Sequence, residues 1–464
     1  MKPLELAHEI AKRVAQEGGR AYFVGGFVRD GLLNNIGTEV DFGTDFLMHK
    51  CIDADTDIDI EVHGLEPEVL EKILDSVGER IEIGKSFGIY ALKGYSIDIA
   101  MPRREKNVGK GHKAFDVEVD PYIGLEKAAI RRDFTINALM ADILSGEVID
   151  LFGGLDDLRS KVLKHVDDDT FTEDPLRVLR AAQFAARFKF LLAPETVKLC
   201  KSMDVSYLSP ERVMGELKKA LLKAEKPSIF FEILRETEQL DVWFLEVKAL
   251  IGVEQNPKFH PEGDVWIHTM KVLDDAVQYR DKVKEPFAFM LSAVAHDFGK
   301  PRTTEVKDGV IHAYNHEEEG LREAQSFMER LTNEKSLIEY VLNMVRLHMK
   351  PNIIANANSA IKSSNKMFDE SKDPEALIYL SIADAMPGAS SAKDFLFQRL
   401  AVYREYMARP YVMGRDLIES GIEPSEKFSE LLEYAHKLRL AGIKKEEALK
   451  QVISKNYSKE SKKK

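Results

Sequence analysis

The segment DADTDIDIEV, residues 53–62, decides the fold of the first part of this chain. Every second residue of its C-terminal half is apolar: Ile58, Ile60 and Val62. This alternation predicts a strand with one buried face, because successive side chains of a strand point to opposite sides. Asp57 and Asp59 therefore project together from the other face.

Paired carboxylates of this kind suit nucleotidyl transfer. At this spacing they fit two Mg²⁺ ions that hold a nucleoside triphosphate and activate an attacking hydroxyl. Asp53 and Asp55 share the same parity, so parity alone leaves the choice of pair open. Because no apolar alternation precedes Asp57, we select Asp57 and Asp59.

A second strand supplies a candidate third acid. In YSIDIAM, residues 95–101, Asp98 points away from Ile97 and Ile99. This pattern repeats that of the first strand, and we expect Asp98 to join the acid cluster. The alternative is a solvated strand carboxylate with no part in the chemistry.

A glycine turn near the N-terminus offers a phosphate site. AYFVGGFVRDGLL, from Ala21, predicts a short strand, a Gly-Gly turn and a helix. Gly25 and Gly26 would let backbone N–H groups approach phosphate, and Arg29 adds charge one turn into the helix. Most such turns are only turns, so this motif is weak evidence alone.

The segment IRRDFTINALM, residues 130–140, combines charged and amide groups. Arg131 and Arg132 precede Asp133 and Asn137, which have helical i,i+4 spacing. Arginines bind phosphates, and Asp with Asn is able to hold a ribose. The alternative interpretation is an ordinary charged helix start.

The segment EDPLRVLRAAQFAARF, residues 173–188, predicts a helix with a nucleotide-reading start. Asp174 and Arg177 lie three apart and share a helix face. A carboxylate beside a guanidinium meets both donors and acceptors on a base edge, so a protein could select a nucleotide without a nucleic-acid template. Taken alone, the pair is better explained as an N-terminal acid with an exposed ion pair.

These motifs together resemble the class II tRNA nucleotidyltransferase and bacterial poly(A) polymerase superfamily. The ordered series is GGFVRD, DIDIEV, RRDFTINA, DLFGGLDDL, EDPLRVLR and LSPERVMGELKKAL. The resemblance implies metal-binding acids at Asp57 and Asp59, with Asp98 at the position of the family's third catalytic acid. It also implies phosphate and ribose contacts at Gly26, Arg29, Arg132, Asp133 and Asn137, and a protein template for CTP and ATP at Asp174 and Arg177, assisted by Arg180.

One position departs from that resemblance. Many relatives have an arginine where this chain has Gln183, three residues beyond Arg180 on the same face. A neutral amide does not replace a guanidinium on a triphosphate. Either Arg187, one turn further on, compensates, or nucleotide affinity is lower here.

The second half contains histidines at the ends of predicted helices. Imidazole and carboxylate ligands suit a divalent transition metal or Mg²⁺, which could ionise a water for attack on phosphate. A single histidine at a helix end is more often a packing residue, and we assign no role to His260 or His312. The ordered set resembles the H…HD…D series of the HD phosphohydrolase superfamily: His268, His296, Asp297 and Asp384, with His316 and His348 permitting a second metal.

Composition sets the broad class. The chain has 464 residues and 44% hydrophobic content, enough for three or four domains, and no apolar run approaches the length of a membrane span. Cys51 and Cys200 give no disulfide framework and suit a reducing cytoplasm. The net charge of −12 argues against general affinity for nucleic acid but allows a local basic groove. Candidate basic segments are RREKNVGKGHK, ERVMGELKKALLK and SKNYSKESKKK.

We therefore expect an α+β protein: a small mixed-sheet nucleotidyltransferase head followed by an all-helical neck, body, HD domain and tail. The expected domains are the head at 1–145, the neck and body at 146–243, the HD domain at 244–390 and the tail at 391–464. Residues between Arg29 and Asp57 are expected to form an insertion loop.

The expected function is cytoplasmic CCA addition to the tRNA 3′ end from CTP and ATP with Mg²⁺, and an accessory metal-dependent phosphohydrolase activity, without a membrane partner. Poly(A) polymerase or partial CC or A addition is the nearest alternative. An HD phosphohydrolase with a non-catalytic, RNA-binding head is the alternative of another class.

Overall fold

The computed structural model describes residues 2–34, 57–84, 88–107, 115–385 and 390–460. These residues form two compact units, one of Met1–Ala220 with Ile229–Val242 and one of Leu221–Ser228 with Trp243–Lys464. The expected insertion loop, with Cys51, falls almost wholly outside the described residues, as does the centre of the basic segment RREKNVGKGHK.

A mixed sheet forms the start of the first unit. Its strands and an adjoining hairpin are β1 (Arg20–Val24), β2 (Ile58–His63), β3 (Arg80–Gly84), β4 (Ile89–Leu92), β5 (Ile97–Ala100), β6 (Arg103–Asn107), β7 (Phe115–Val119), β8 (Met140–Asp142) and β9 (Val148–Ile149). Within the described residues the sheet order is β3-β4-β5-β2-β1-β8-β9, and β6 pairs with β7 separately. β2 and β5 run parallel, whereas the other neighbours in the sheet are antiparallel.

The two faces of this sheet have different neighbours. Ile60 lies opposite Phe23 in the β1–β2 register, and the Phe23 ring lies 6.5 Å from the ring of His8 in the N-terminal helix. This apolar face is therefore the helix-covered one. On the other face, Tyr22 and Val24 pack with residues of the segment 129–140. The alternation of β2 thus places its acidic residues on the face that meets this segment.

Helices complete the first unit. They are α1 (Pro3–Gln16), α2 (Gly26–Leu33), α3 (Pro67–Val77), α4 (Leu125–Ala129), α5 (Gly154–Ser160), α6 (Asp168–Thr172), α7 (Leu176–Phe188), α8 (Pro194–Ser202), α9 (Pro210–Lys223) and α10 (Ser228–Glu236). A short parallel pair, β10 (Val162–Leu163) and β11 (Leu191–Leu192), lies among them. The mixed sheet followed by helices agrees with the predicted α+β class.

The second unit is mainly helical. Its helices are α11 (Leu245–Lys248), α12 (Val265–Arg280), α13 (Pro286–Ala295), α14 (Lys300–Thr303), α15 (His316–Glu319), α16 (Leu321–Leu331), α17 (Lys335–Leu347), α18 (Met349–Asn356), α19 (Ile361–Glu370), α20 (Pro374–Asp384), α21 (Ser390–Ala408), α22 (Gly414–Glu419), α23 (Lys427–Leu440) and α24 (Lys445–Glu460). Among the described helices, none has both the length and the apolar character that crossing a bilayer requires.

This unit differs from the all-helical expectation in one place. A hairpin of β12 (Thr304–Lys307) and β13 (Val310–Ala313) follows α14. Asp308 and Gly309 form its turn, both with positive φ. An Asp-Gly pair between short β-prone segments is a hairpin signature, because both central residues of the tight turn need positive φ.

The DLFGGLDDL motif contains a glycine that close packing requires. A Cβ at Gly154 would lie 2.4 Å from the carbonyl oxygen of Thr135. We predict that Gly154→Ala destabilises the protein by about 1–3 kcal/mol, the usual effect of overpacking. Urea unfolding, followed by a signal from the first unit, measures this change in the free energy of unfolding.

Gly215 provides the matched control. It lies within α9, and no atom lies within 4 Å of the Cβ position there. Gly215→Ala is expected to stabilise the helix by about 0.5–1 kcal/mol, since alanine loses less backbone entropy. Equal effects of the two substitutions would contradict the packing argument.

Candidate functional site

The predicted acids lie on one face of the head sheet. In the parallel β2–β5 register Asp59 is directly opposite Asp98. Asp57 and Asp98 are exposed, whereas Asp59 is half-buried. Burial raises the pKa of Asp59. The neighbouring charges of Asp98 and Asp57 raise it further, whereas the charge of Arg132 lowers it. Clustered carboxylates whose mutual repulsion disfavours ionisation form a donor set that fits a hard divalent cation.

The Gly-Gly turn lies beside this cluster. Gly25 has φ +64°, a conformation that favours glycine, and it precedes the first turn of α2. A Cβ at Gly25 would lie 3.5 Å from both Arg132 Nη1 and Asp59 Oδ2. The turn, an arginine and a metal-binding candidate therefore converge on one place.

Arg29 lies beneath the turn rather than on its surface. It is 3% exposed and its guanidinium lies against the rings of Phe184 and Phe188, 5.1 and 4.6 Å from their centres. Its Nη1 donates to Asn137 Oδ1 at 2.5 Å. This burial shows that Arg29 supports the turn from inside, and direct phosphate contact by Arg29 stays a prediction.

The RRDFTIN segment adopts a turn and a 3-10 helix, Thr135–Asn137, rather than a longer helix. Asp133 and Asn137 nevertheless meet, because Asn137 Nδ2 donates to Asp133 Oδ1 at 2.8 Å. The other oxygen of Asp133 accepts a hydrogen bond from Arg180 Nε at 2.7 Å. Burial opposes ionisation of Asp133, but Arg180 and Asn137 lower its pKa. A continuous network therefore joins this segment to α7.

The template helix begins later than the sequence suggested. α7 starts at Leu176, so Asp174 lies before the helix and accepts a hydrogen bond from the Leu176 N–H at 3.1 Å. Arg212 Nη2 donates to its second oxygen at 2.6 Å. Arg177 donates to the carbonyl oxygens of Thr170 and Arg131, both at 2.6 Å. Both side chains are therefore already paired with other groups of the protein.

Gln183 is a buried residue of α7, only 2% exposed. Arg187, one turn on, donates from Nη2 to Asp30 Oδ2 at 3.0 Å, and Asp30 also accepts from Arg29 Nε at 2.7 Å. Arg187 is thus paired with an acid in the second turn of α2. Whether Arg187 compensates for the missing arginine or nucleotide affinity is lower stays a prediction.

Sequence reasoning missed two members of the head site. Glu61 continues the odd-numbered face of β2 and accepts hydrogen bonds from His63 and Arg132. Arg212 holds Asp174 from the LSPERV motif. The parity of Glu61 could have identified it, whereas nothing in the sequence indicated which residue Arg212 contacts.

The second unit brings the predicted histidines and acids to one buried centre. His296 Nε2 lies 3.2 Å from Asp297 Oδ2, and His268 Nε2 lies 2.9 Å from Asp384 Oδ1. On the other side of Asp297, Oδ1 lies 3.3 Å from His316 Nε2. His348 Nε2 lies 3.9 Å from the same oxygen.

Hydrogen bonds at the rear of three rings fix their orientation. His296, His316 and His348 each donate Nδ1–H to the carbonyl three residues earlier, at 2.9, 2.9 and 2.6 Å. Each Nε2 therefore has a lone pair that faces Asp297. The Nε2 atoms of His316 and His348 lie 3.2 Å apart. Two lone pairs facing each other in this way repel unless a cation lies between them.

The charges of the centre also fit a cation. His296 Nε2 and both oxygens of Asp297 are buried without a hydrogen bond, although Lys300 Nζ lies 2.6 Å from Asp297 Oδ2. Burial with the neighbouring histidines lowers the pKa of His348 to about 3. Burial also opposes protonation of His268, but hydrogen bonds with Asp384 and Glu262 raise its pKa to about 9, so a metal bound here would have to displace the proton on His268 Nε2. The neutral imidazole of His348 beside ionised carboxylates is the kind of donor set that binds a divalent metal.

Two groups of potential ligands share Asp297. They are His268, His296 and Asp297, and Asp297, His316 and His348, and within each group the ligand atoms lie within 4.8 Å of one another. Asp384 reaches the first group through its contacts with His268 and His296. The structure therefore brings the predicted residues together, and each of the two groups has enough donor atoms to bind one ion.

Several neighbours of this centre had no predicted role. Glu262 accepts from His268 Nδ1 at 2.7 Å, and the His260 ring lies 4.5 Å from that of His268. Burial and the charge of Lys300 lower the pKa of His260 to about 4. A cavity of about 940 Å³ adjoins the centre and is lined in part by Phe259, His312 and Tyr314. Two sequence motifs border these residues and could have identified them. They are HPEG at residues 260–263 and the Asp-Gly pair at residues 308–309.

Comparisons with known proteins agree with both sites. The family model described as poly A polymerase head domain matches residues 21–164, and the HD domain model matches residues 265–386. A multifunctional CCA protein of Pasteurella multocida (strain Pm70) is 33% identical over 442 residues, covering 92% of this chain and 97% of the relative. One of Actinobacillus pleuropneumoniae serotype 5b (strain L20) is 36% identical over 334 residues, covering 70% and 74%.

Solved structures share the fold. The Bacillus stearothermophilus CCA-adding enzyme in complex with CTP matches with a TM-score of 0.67 and 20% identity, covering 100% of each chain. The Thermotoga maritima CCA-adding enzyme complexed with tRNA matches with a TM-score of 0.61 and 21% identity, covering 97% of this chain and 95% of that one.

The head sheet with its acid cluster and the separate histidine centre define a nucleotidyltransferase joined to an HD domain. The chain belongs to the multifunctional CCA protein family.

The HDFGKP motif contains a glycine that the geometry of the histidine centre requires. A Cβ at Gly299 would lie 2.0 Å from the His316 carbonyl oxygen and 2.8 Å from the Gly320 nitrogen. Gly299→Ala should therefore push His316 away from Asp297. We expect metal binding to weaken by about tenfold or more, as for loss of a supporting contact. Mn²⁺ content per chain after dialysis, by mass spectrometry, measures it.

Gly414→Ala is the control in the same unit. The atom nearest to the Cβ position there is 3.9 Å away, so this substitution should leave the Mn²⁺ content at the wild-type value. Unchanged metal content in folded Gly299→Ala protein would refute the proposed dependence on close backbone packing.

Proposed function

We propose that this protein is a CCA-adding tRNA nucleotidyltransferase, which adds CMP and AMP from CTP and ATP to the tRNA 3′ end. The observation that supports this best is the convergence of Asp57, Asp59 and Asp98 beside the Gly25 turn and Arg132. Membership of the multifunctional CCA protein family supports it independently. The related structures in complex with CTP and with tRNA suggest the ligands of this chain.

In this proposal Asp57 and Asp59 would hold Mg²⁺, with Asp98 as the third acid of the cluster, and the bound metal would neutralise triphosphate charge and favour ionisation of the attacking hydroxyl. The backbone N–H groups at Gly25–Gly26 and the Arg132 guanidinium bind the triphosphate. They orient the α-phosphate towards the tRNA 3′ hydroxyl, which forms the new P–O bond as pyrophosphate leaves.

Nucleotide selection is assigned to Asp174 and Arg177. The base edge exchanges hydrogen bonds with the carboxylate and the guanidinium in place of their contacts with Arg212, Thr170 and Arg131. Asp133 and Asn137 are assigned to the ribose, and Arg180 keeps Asp133 ionised. The protein itself thus supplies the template.

The second site is proposed to be a metal-dependent phosphohydrolase. His268, His296, Asp297 and Asp384 would bind a divalent transition metal or Mg²⁺, which supplies an activated water when bound. His316 and His348 would bind a second ion with Asp297. The rear hydrogen bonds of the histidines keep their Nε2 atoms directed at the metal position.

The remaining proposals concern organisation and location. We place the head at 1–145, the neck and body at 146–243, the HD domain at 244–390 and the tail at 391–464. The cytoplasm is the proposed location, because tRNA, CTP and ATP meet there.

One assay tests the function against its alternatives. tRNA transcripts ending before, within and after CCA are incubated with labelled CTP or ATP. Ordered addition of two CMP and one AMP, ending at CCA, is expected. Long adenylate tails would indicate a poly(A) polymerase. Incorporation of CMP alone or of AMP alone would indicate partial addition. Metal-dependent hydrolysis without any incorporation would indicate the hydrolase with a non-catalytic head.

Asp59→Ala should abolish incorporation without unfolding the head, because the side chain faces the acid cluster rather than the apolar core. Labelled CMP incorporation measures this effect. Asp75→Asn is the control and should keep wild-type activity. It alters an exposed acid of the helix α3, which pairs with Arg80 of β3. Activity above a few per cent of wild type in Asp59→Ala would exclude the metal role of Asp59.

Asp174→Ala should damage nucleotide choice more than metal binding, because Asp174 is assigned to the base. The measurement is the ratio of kcat/KM among the four nucleoside triphosphates. The neighbouring exposed acid Glu173 provides the control as Glu173→Ala. Unchanged selectivity in Asp174→Ala would refute the template assignment.

His296→Ala should remove metal-dependent hydrolysis while CMP and AMP incorporation continues, since it belongs to the second unit and a different motif series. Hydrolysis is measured with a 2′,3′-cyclic nucleotide, a phosphate monoester and pyrophosphate. His436→Ala, at an exposed histidine paired with Asp369, is the control. If the folded His296→Ala variant lost incorporation as well as hydrolysis, the proposal of two independent sites would be contradicted.

A further inference from the structure

Glu61 is a buried acid at the edge of the candidate nucleotide site. It lies two residues beyond Asp59 on β2 and is 8% exposed. His63 Nε2 contacts Glu61 Oε1 at 2.8 Å, and Arg132 Nη2 donates to Glu61 Oε2 at 3.2 Å. Each carboxylate oxygen therefore has its own partner, so the carboxylate is fixed in orientation.

Arg132 lies between two acids of the same strand face. Its Nη2 contacts Glu61, whereas Nη1 lies beside the Gly25 turn, where Asp59 Oδ2 is also found. The Arg132 side chain is 34% exposed, in contrast to 10% for that of Glu61. One side of the guanidinium is thus held by a buried anion, and the other side faces the open position beside the turn.

This geometry matters because Arg132 has a competing anion nearby. Without Glu61, the nearest carboxylate able to pair with Arg132 on this face would be Asp59, with which it already interacts electrostatically. An Arg132–Asp59 pair would take the arginine from the triphosphate and a carboxylate from the cation. Glu61 prevents both by holding the guanidinium at its far side.

We infer that Glu61 is a positioning residue for nucleotidyl transfer, which orients Arg132 towards the triphosphate and keeps Asp59 available. The inference rests on the proposed function. His63 supports Glu61 from the opposite oxygen and completes the chain from His63 through Glu61 to Arg132.

The test is the Glu61→Gln variant, which keeps the side-chain volume and removes the charge. We expect the KM for CTP and for ATP to rise at least tenfold, with a smaller change in kcat, and the Mg²⁺ concentration for half-maximal rate to rise as well. Glu71→Gln is the matched control, because Glu71 also pairs with an arginine, Arg80, but from the helix α3. A purely structural role would lower the unfolding temperature without this split between KM and kcat.

A double-substitution cycle tests whether Glu61 acts through Arg132. If it does, Glu61→Gln with Arg132→Gln should be no worse than Arg132→Gln alone. Additive losses in kcat/KM would overturn the inference. Should Glu61→Gln fail to fold, Glu61→Asp keeps the charge but withdraws it from Arg132, and its KM should rise at least threefold.

The outcomes separate the two proposals. A wild-type protein that incorporates neither CMP nor AMP overturns the proposed function. A wild-type protein that incorporates both, with the KM of folded Glu61→Gln or Glu61→Asp within twofold of it, overturns the positioning role alone.

Discussion

The head site depends on the two-residue period of β2 and its parallel pairing with β5. The period places Asp57, Asp59 and Glu61 on one face, and the pairing brings Asp98 beside Asp59. Like charges held together in this way repel, so the face is suited to cations. Arg132 supplies one fixed positive charge from the opposite segment, and the remaining negative charge is what a divalent ion would neutralise.

The second unit also gathers potential metal ligands in one place, but they are histidines and acids held by helices. Asp297 is almost fully buried at the junction of two histidine groups, and backbone carbonyls orient the imidazoles around it. Such polar groups are costly to bury without partners. The backbone itself is fitted to this centre, since the contact of Gly299 with His316 leaves no room for a side chain. Both sites are therefore clusters of ligand groups, carboxylates in the head and imidazoles with carboxylates in the second unit, held in place by the packing around them.

Local signals predicted the elements well where period and chemistry agreed. The alternation of β2 and the ordered histidine series both indicated residues that the structure brings together. The start of α7 and the turn at Thr135–Asn137 were less predictable, because Asp174 is drawn out of the helix by its contact with Arg212, and the 3-10 turn packs against Gly154. The hairpin after α14 had a local signal in Asp308 and Gly309.

The sequence by itself determined the mixed-sheet head, the helical remainder, the acids and histidines, and the family, because each depends on residue order and spacing. Only the tertiary structure decided which partners these residues have. Glu61 meets Arg132 across 71 positions, Arg212 meets Asp174 across 38, and Arg29 is buried against two rings of α7. Such contacts join distant segments, and the energy that selects them comes from the burial and pairing of charge in the folded chain, which no local pattern encodes.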